Sequence, residues 1–156
     1  MFSLVNKKAV ITGGGSGIGK AIAVTFAAQG AAVHVLELTR EAGADTVATI
    51  SAMGGSVTVH ACNVASKEEV AAVFASIGQL DILVNNAGII KRTPIVDMEV
   101  SDFKMVIDVD LVGPFVVSKN VAKGMIQRGG GKIINICSMM SELGRNTVSA
   151  YAAAIG

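Results

Sequence analysis

Five short apolar runs recur along the chain, at Lys8–Thr12, Ala32–Leu36, Ser56–Ala61, Asp81–Asn85 and Lys132–Cys137, and helical patterns fill the intervals between them. The helical stretches lie near Gly19–Gln29, Glu41–Met53, Lys67–Ile77 and Ser101–Arg128. Strict alternation of this kind predicts an α/β domain: a Rossmann-type, doubly wound parallel sheet with right-handed crossovers. Composition agrees. The chain is 51% hydrophobic but only 4% aromatic, with 18 glycines against two prolines, which suits strands buried on both faces. Its 156 residues fit a single domain, 1–156, and no repeat, linker or low-complexity tract divides it. Ser66 followed by Glu69 is a capping box for the third helix. Gly113 and Pro114 predict a kink or break in the fourth.

Several function classes drop out. The net charge is +1 with no basic block, so a nucleic-acid surface is not expected. No apolar run approaches a membrane span, and the apolar stretch in "MFSLVNKK" is too short for a secretory signal. Cys62 and Cys137 make neither a disulfide framework nor a C-x-x-C pair. A cytoplasmic protein is the default expectation. His34 and His60 fall in different strands without a carboxylate or thiol partner at ligand spacing, so no metal site is expected. Cys137 reads as a small core thiol, and the seven methionines, Met139 and Met140 among them, as gap-fillers or the lining of an apolar pocket.

The first strand runs into "TGGGSGIG", and a helix opens behind it. Such a turn cradles phosphate, with helix N–H groups and dipole favouring the anion. Gly14, Gly19 and Lys20 could form most of a nucleoside-triphosphate loop, but that loop needs a Ser or Thr next to hold Mg²⁺, and the residue is Ala21. Gly13, Gly17 and Gly19 instead form a dinucleotide turn, in which Ser16 and Ile18 also lie. Glu37 ends the second strand eighteen residues beyond Gly19. A carboxylate there accepts from the adenosine ribose hydroxyls and repels a 2′-phosphate, and neither Ser16 nor Leu38 offers a compensating cation. NAD is therefore expected ahead of NADP.

"TGGGSGIG", the "NNAG" of Asn85–Gly88, Ser138 and Tyr151 together resemble the short-chain dehydrogenase/reductase family, over essentially the whole chain. The resemblance implies that Asn85, Asn86, Ala87 and Gly88 support the central sheet and the cofactor pocket. It also implies that Asn63, matching an aspartate in the family, accepts from the adenine amine with Val64 beside the ring. Tyr151, the only tyrosine, becomes the acid/base, and Ser138, thirteen residues earlier, the group that hydrogen-bonds the substrate oxygen. Asp110 stands where the family usually has an asparagine whose backbone carbonyl holds a relay water. The family's lysine four residues after the tyrosine is Ile155 here, which can neither depress a phenol pKa nor hold the nicotinamide ribose. The chain stops at Gly156, before the last strands of the family fold, so the domain is expected to be C-terminally incomplete.

Within the family, "GKIINICSMMSELGRNTVSAYAAA" and "NAGIIKR" look most like the gluconate 5-dehydrogenases and their sugar-acid relatives, implying interconversion of D-gluconate and 5-keto-D-gluconate. A sugar acid needs a cation for its carboxylate. Lys91, Arg92 and Arg145 are the candidates, Arg145 foremost because it lies between Ser138 and Tyr151. A 3-ketoacyl reductase is the rival, disfavoured by Glu37. A catalytically impaired dinucleotide-binding module is the alternative from another class. Family members associate through the long helix matching Ser101–Arg128, so a homodimer is expected and a tetramer is not.

Overall fold

The computed structural model describes residues 2–155. Its elements follow in the order β1 (Lys8–Thr12), α1 (Gly17–Ala28), β2 (Ala32–Glu37), α2 (Ala44–Ala52), β3 (Ser56–Ala61), α3 (Lys67–Ile77), β4 (Ile82–Asn85), α4 (Val100–Ile107), α5 (Gly113–Gln127), β5 (Lys132–Asn135), α6 (Met140–Leu143) and α7 (Ser149–Ile155). The five strands form one parallel sheet in the order β3-β2-β1-β4-β5. After β1 the chain winds outward through β2 and β3, then returns to place β4 on the other side of β1. The direction reverses between β1 and β4, and a crevice opens there beyond the carboxyl ends of the strands.

The period-two alternation of the strands sorts the core into two layers. Ala9, Ile11, Val33, Val35, Ile82 and Val84 face α1 and α2, where Ala23, Ala27 and Ile50 meet them. Val10, Leu36 and Leu83 face α3 and α5, against Val70, Phe74, Val117 and Val121. A third, smaller cluster joins α4 to α7 through Val106, Ala150 and Ala154, with Tyr151 and Ile155 packed on it. β5 differs from the other strands: all four of its residues are exposed.

Two sequence expectations need correction here. Of the kink or break expected at Gly113–Pro114, the fourth helical stretch shows no break. It runs on through a π turn, Asp108–Val112, from α4 into α5. Pro114 has no N–H to give the carbonyl of Asp110, four residues back, and the ladder widens by one residue where that bond is missing. Cys137 is not a core thiol but exposed, because it follows the uncovered β5. The capping box is half realised. Ser66 Oγ accepts the Glu69 N–H at 3.3 Å, but the Glu69 carboxylate turns to the Asn63 N–H at 2.8 Å.

Candidate active site

The glycine turn is built around Thr12 and Asn86. Thr12 Oγ1, buried at the end of β1, accepts the N–H groups of both Asn86 and Ala87, at 2.9 and 3.0 Å. Asn86 Nδ2 returns the bond, donating to the carbonyls of Thr12 and Gly13 at 3.1 and 2.9 Å. β1 and β4 are thus laced together at their carboxyl ends. The contact leaves no room for side chains: a Cβ on Gly13, whose φ is +64°, would lie 2.9 Å from Ala87 Cα, and one on Gly19 would lie 2.1 Å from the Gly13 oxygen. Gly17 is the reverse case, since a Cβ there would meet nothing within 4 Å. The start of α1 therefore faces open space. Ser16 places no side chain on the free N–H groups there, and the first turn holds no acid. That is the environment a pyrophosphate requires. Lys20 is occupied elsewhere, in an ion pair with Asp45.

Glu37 closes the outer side of the turn, where its Oε1 accepts the Gly15 N–H at 2.7 Å. Thr46 Oγ1, fully buried on α2, donates to the Gly14 carbonyl at 2.8 Å. Asn63 lies past the end of β3, and its Oδ1 already accepts the Ala65 N–H at 3.0 Å. Val64 is buried in the α3–α5 layer, against Gly113.

Beyond the β1–β4 switch point a cavity of about 630 Å³ gathers most of the remaining candidates. Ile18, Asn86, Ala87 and Gly88 line it, together with Ser138, Tyr151, Asp110, Arg92 and Arg145. Ile155 lines it too. Lys91 is not part of the lining; its Nζ pairs with Asp102 at 3.3 Å. Ser138 stands just past β5 at the start of α6, its Oγ accepting the Met140 N–H at 3.2 Å. Asp110 is carried in by the π turn, its Oδ1 accepting the Ile89 N–H at 2.8 Å. Burial pushes its carboxyl above the ordinary carboxylate range, against the smaller downward pull of that N–H. Among the described residues no cluster of three or more His, Cys, Asp and Glu side chains could hold a metal ion, and no helix is long and apolar enough to cross a membrane.

Sequence reasoning missed several contributors. Thr12 and Thr46 hold the turn by bonds to distant backbone, which leave no local pattern to read. Asn135 and Cys137 enter the cavity lining only because β5 lies beside β4. His34 and His60, separated in sequence, meet across β2 and β3 with ring nitrogens 2.9 Å apart.

Comparison with known proteins agrees with this architecture. The chain is 48% identical to a 2-dehydro-3-deoxy-D-gluconate 5-dehydrogenase of Formosa agariphila, covering 100% of this chain and 61% of the relative. It is 38% identical to a 5-keto-D-gluconate 5-reductase of Escherichia coli, covering 100% and 63%. A crystal structure of a gluconate 5-dehydrogenase from Burkholderia cenocepacia, in complex with NADP and tartrate, superposes with a TM-score of 0.89 at 40% identity, over 99% of this chain and 62% of that one. The chain thus spans about three-fifths of the length of these relatives. The short chain dehydrogenase family model matches residues 7–154, and with the β1–β4 switch point, the glycine turn and the Ser138–Tyr151 cavity all in place, the chain belongs to that family.

Proposed function

We propose that this chain carries the dinucleotide cradle and the proton-handling pair of an oxidoreductase acting on a secondary alcohol or ketone of a sugar acid, gluconate and 5-ketogluconate being the substrates it fits best. One observation carries the reading: Ser138, Tyr151, Arg92 and Arg145 share a single cavity with the Asn86–Gly88 end of the cradle. The bound dinucleotide supplies the hydride acceptor or donor. The rest falls to the chain. The free N–H groups at the start of α1 bind the pyrophosphate, and Glu37 takes the adenosine ribose. Its charge favours NAD over NADP, in contrast to the NADP held by the Burkholderia cenocepacia enzyme. Ser138 orients the substrate oxygen, Tyr151 holds or moves its proton, and Arg145 with Arg92 takes the carboxylate. The tartrate in that same relative, a hydroxy acid, supports an acid-binding pocket.

A second reading follows from Ile155. A phenol is a poor acid/base at neutral pH without a cation beside it, and Ile155 brings none to the cavity. On that reading the chain binds dinucleotide but turns over slowly. NAD binding by calorimetry and gluconate-dependent NAD reduction, measured on the wild type and on Ile155→Lys, decide between the two. Binding with turnover that rises about 100-fold in Ile155→Lys supports the full mechanism with a missing cation. No NAD binding by either protein sinks the dinucleotide reading itself.

Cytoplasmic residence goes with this function, since Cys62 and Cys137 are both free thiols. A homodimer through α4 and α5 does as well. Val100, Phe103, Leu111, Phe115 and Ile126 are exposed there, an apolar stripe that a second copy would cover.

A further inference from the structure

Asp110 is an anomaly in its surroundings. A buried, ionised carboxylate ordinarily collects several donors or a cation, because two oxygens offer about four acceptor sites. Asp110, 9% exposed, has one donor, the Ile89 N–H on Oδ1. Its Oδ2 is buried and has no hydrogen-bond partner. Both oxygens lie against Gly88, close enough that a Cβ there would sit 3.5–3.7 Å from them. No cation relieves it. Of the charged and titratable groups on the neighbouring segments, Lys91 is paired with Asp102, and Arg92 and Arg145 are exposed without an ion pair to Asp110. Lys104 on α4, Asp108 on the π turn and Lys119 on α5 are exposed, Tyr151 on α7 is no cation, and the first turn of α5 carries no charge.

An amide in this place would accept the Ile89 N–H through its oxygen and present N–H where Oδ2 lies. A carboxyl group can match that pattern only with its proton on Oδ2. We propose that Asp110 is a positioning residue that works as a neutral carboxylic acid, pinning Ile89, and with it the Asn86–Arg92 turn, against the π turn, and that ionisation loosens this turn. The consequence for the site is direct: Asn86, Ala87, Gly88 and Arg92 all line the cavity, so protonation of one buried acid governs how firmly that wall is held.

The linkage has a definite sign. An acid that keeps its proton in the folded state but loses it in the unfolded chain makes stability fall as pH rises above the ordinary carboxylate value. Asp110→Asn keeps the acceptor and removes the titration. The melting temperature of Asp110→Asn should equal that of the wild type at about pH 4 and exceed it by about 3–6 °C at about pH 8. Asp110→Ala, which loses the acceptor for Ile89, should fall below Asp110→Asn at every pH. The ¹³C resonance of the Asp110 carboxyl, assigned by its disappearance in Asp110→Asn, should titrate well above pH ~4. A carboxyl resonance titrating at or below pH ~4, or melting curves of wild type and Asp110→Asn that run parallel with pH, would overturn the proposal. One further readout rests on the proposed dinucleotide function: NAD affinity should weaken with rising pH in the wild type and stay level in Asp110→Asn. If neither protein binds NAD, that function fails, while melting and resonance still decide the state of Asp110.

Discussion

The Glu37 carboxylate accepts the Gly15 N–H at 2.7 Å, fixing the outer side of the glycine turn, and in the function proposed above the same charge opposes a 2′-phosphate on the adenosine ribose. Glu37→Gln separates the two, since the amide oxygen still accepts from Gly15 while the charge is gone. The ratio of NAD to NADP affinity should drop by about tenfold in Glu37→Gln, one lost charge repulsion, and by about 100-fold in Glu37→Arg, where a phosphate partner replaces it. Titrating both dinucleotides into the three proteins checks this, and an unchanged ratio in Glu37→Arg would remove Glu37 from cofactor choice. The position of Glu37 at the end of β2 was legible in the sequence, because a strand end after a glycine turn is a local property. Thr12 was not. Its hydroxyl accepts two amides from residues more than seventy positions away, a relation that only the β1–β4 pairing creates. Cys137 failed for a related reason: an apolar neighbourhood in sequence does not say which residues other elements cover.

Elements were read better than the joints between them. β1, β3 and α3 match their sequence spans, because strong periodicity and a cap define their ends. The π turn was read as a kink or break, because proline and glycine signal interruption without saying how the ladder absorbs it. The β2–β3 pairing shows the other blind spot. It brings His34 and His60 to 2.9 Å, partly buried and stacked, an arrangement that requires the register as well as the strands. Burial, the neighbouring His60 and Lys8 lower the His34 pKa from 6.5 to about 4, and burial with Arg40 lowers that of His60. A histidine whose folded pKa is depressed stays neutral when folded but takes up a proton when unfolded. Its contribution is therefore complete above the unfolded value, and is lost as pH falls from about 6.5 towards about 4. We expect wild-type unfolding free energy to drop by about 1–2 kcal/mol over that interval on this account, the full linkage being discounted for the pair's partial exposure. His34→Gln should flatten the slope. Urea unfolding across the interval tests it, and equal slopes in the two proteins would show that the pair does not set the acid limb.

At the scale of the whole molecule the sheet is asymmetric. Its centre, β1 and β4, is buried on both faces and carries the site, so the geometry most relevant to function rests on the best-packed strands. Its β5 edge is the opposite, with Ile133 40% and Ile134 42% exposed on opposite faces of the strand. The α4–α5 stripe is an apolar surface of a different kind, with Phe115 64% exposed. A face between helices can close on itself as a two-fold dimer. In the function proposed above this face joins two copies, so Phe115→Glu should convert dimer to monomer in sedimentation velocity, because each copy would bring an unpaired charge to the seam. A Phe115→Glu protein that sediments as the wild type does would remove the helical stripe from assembly.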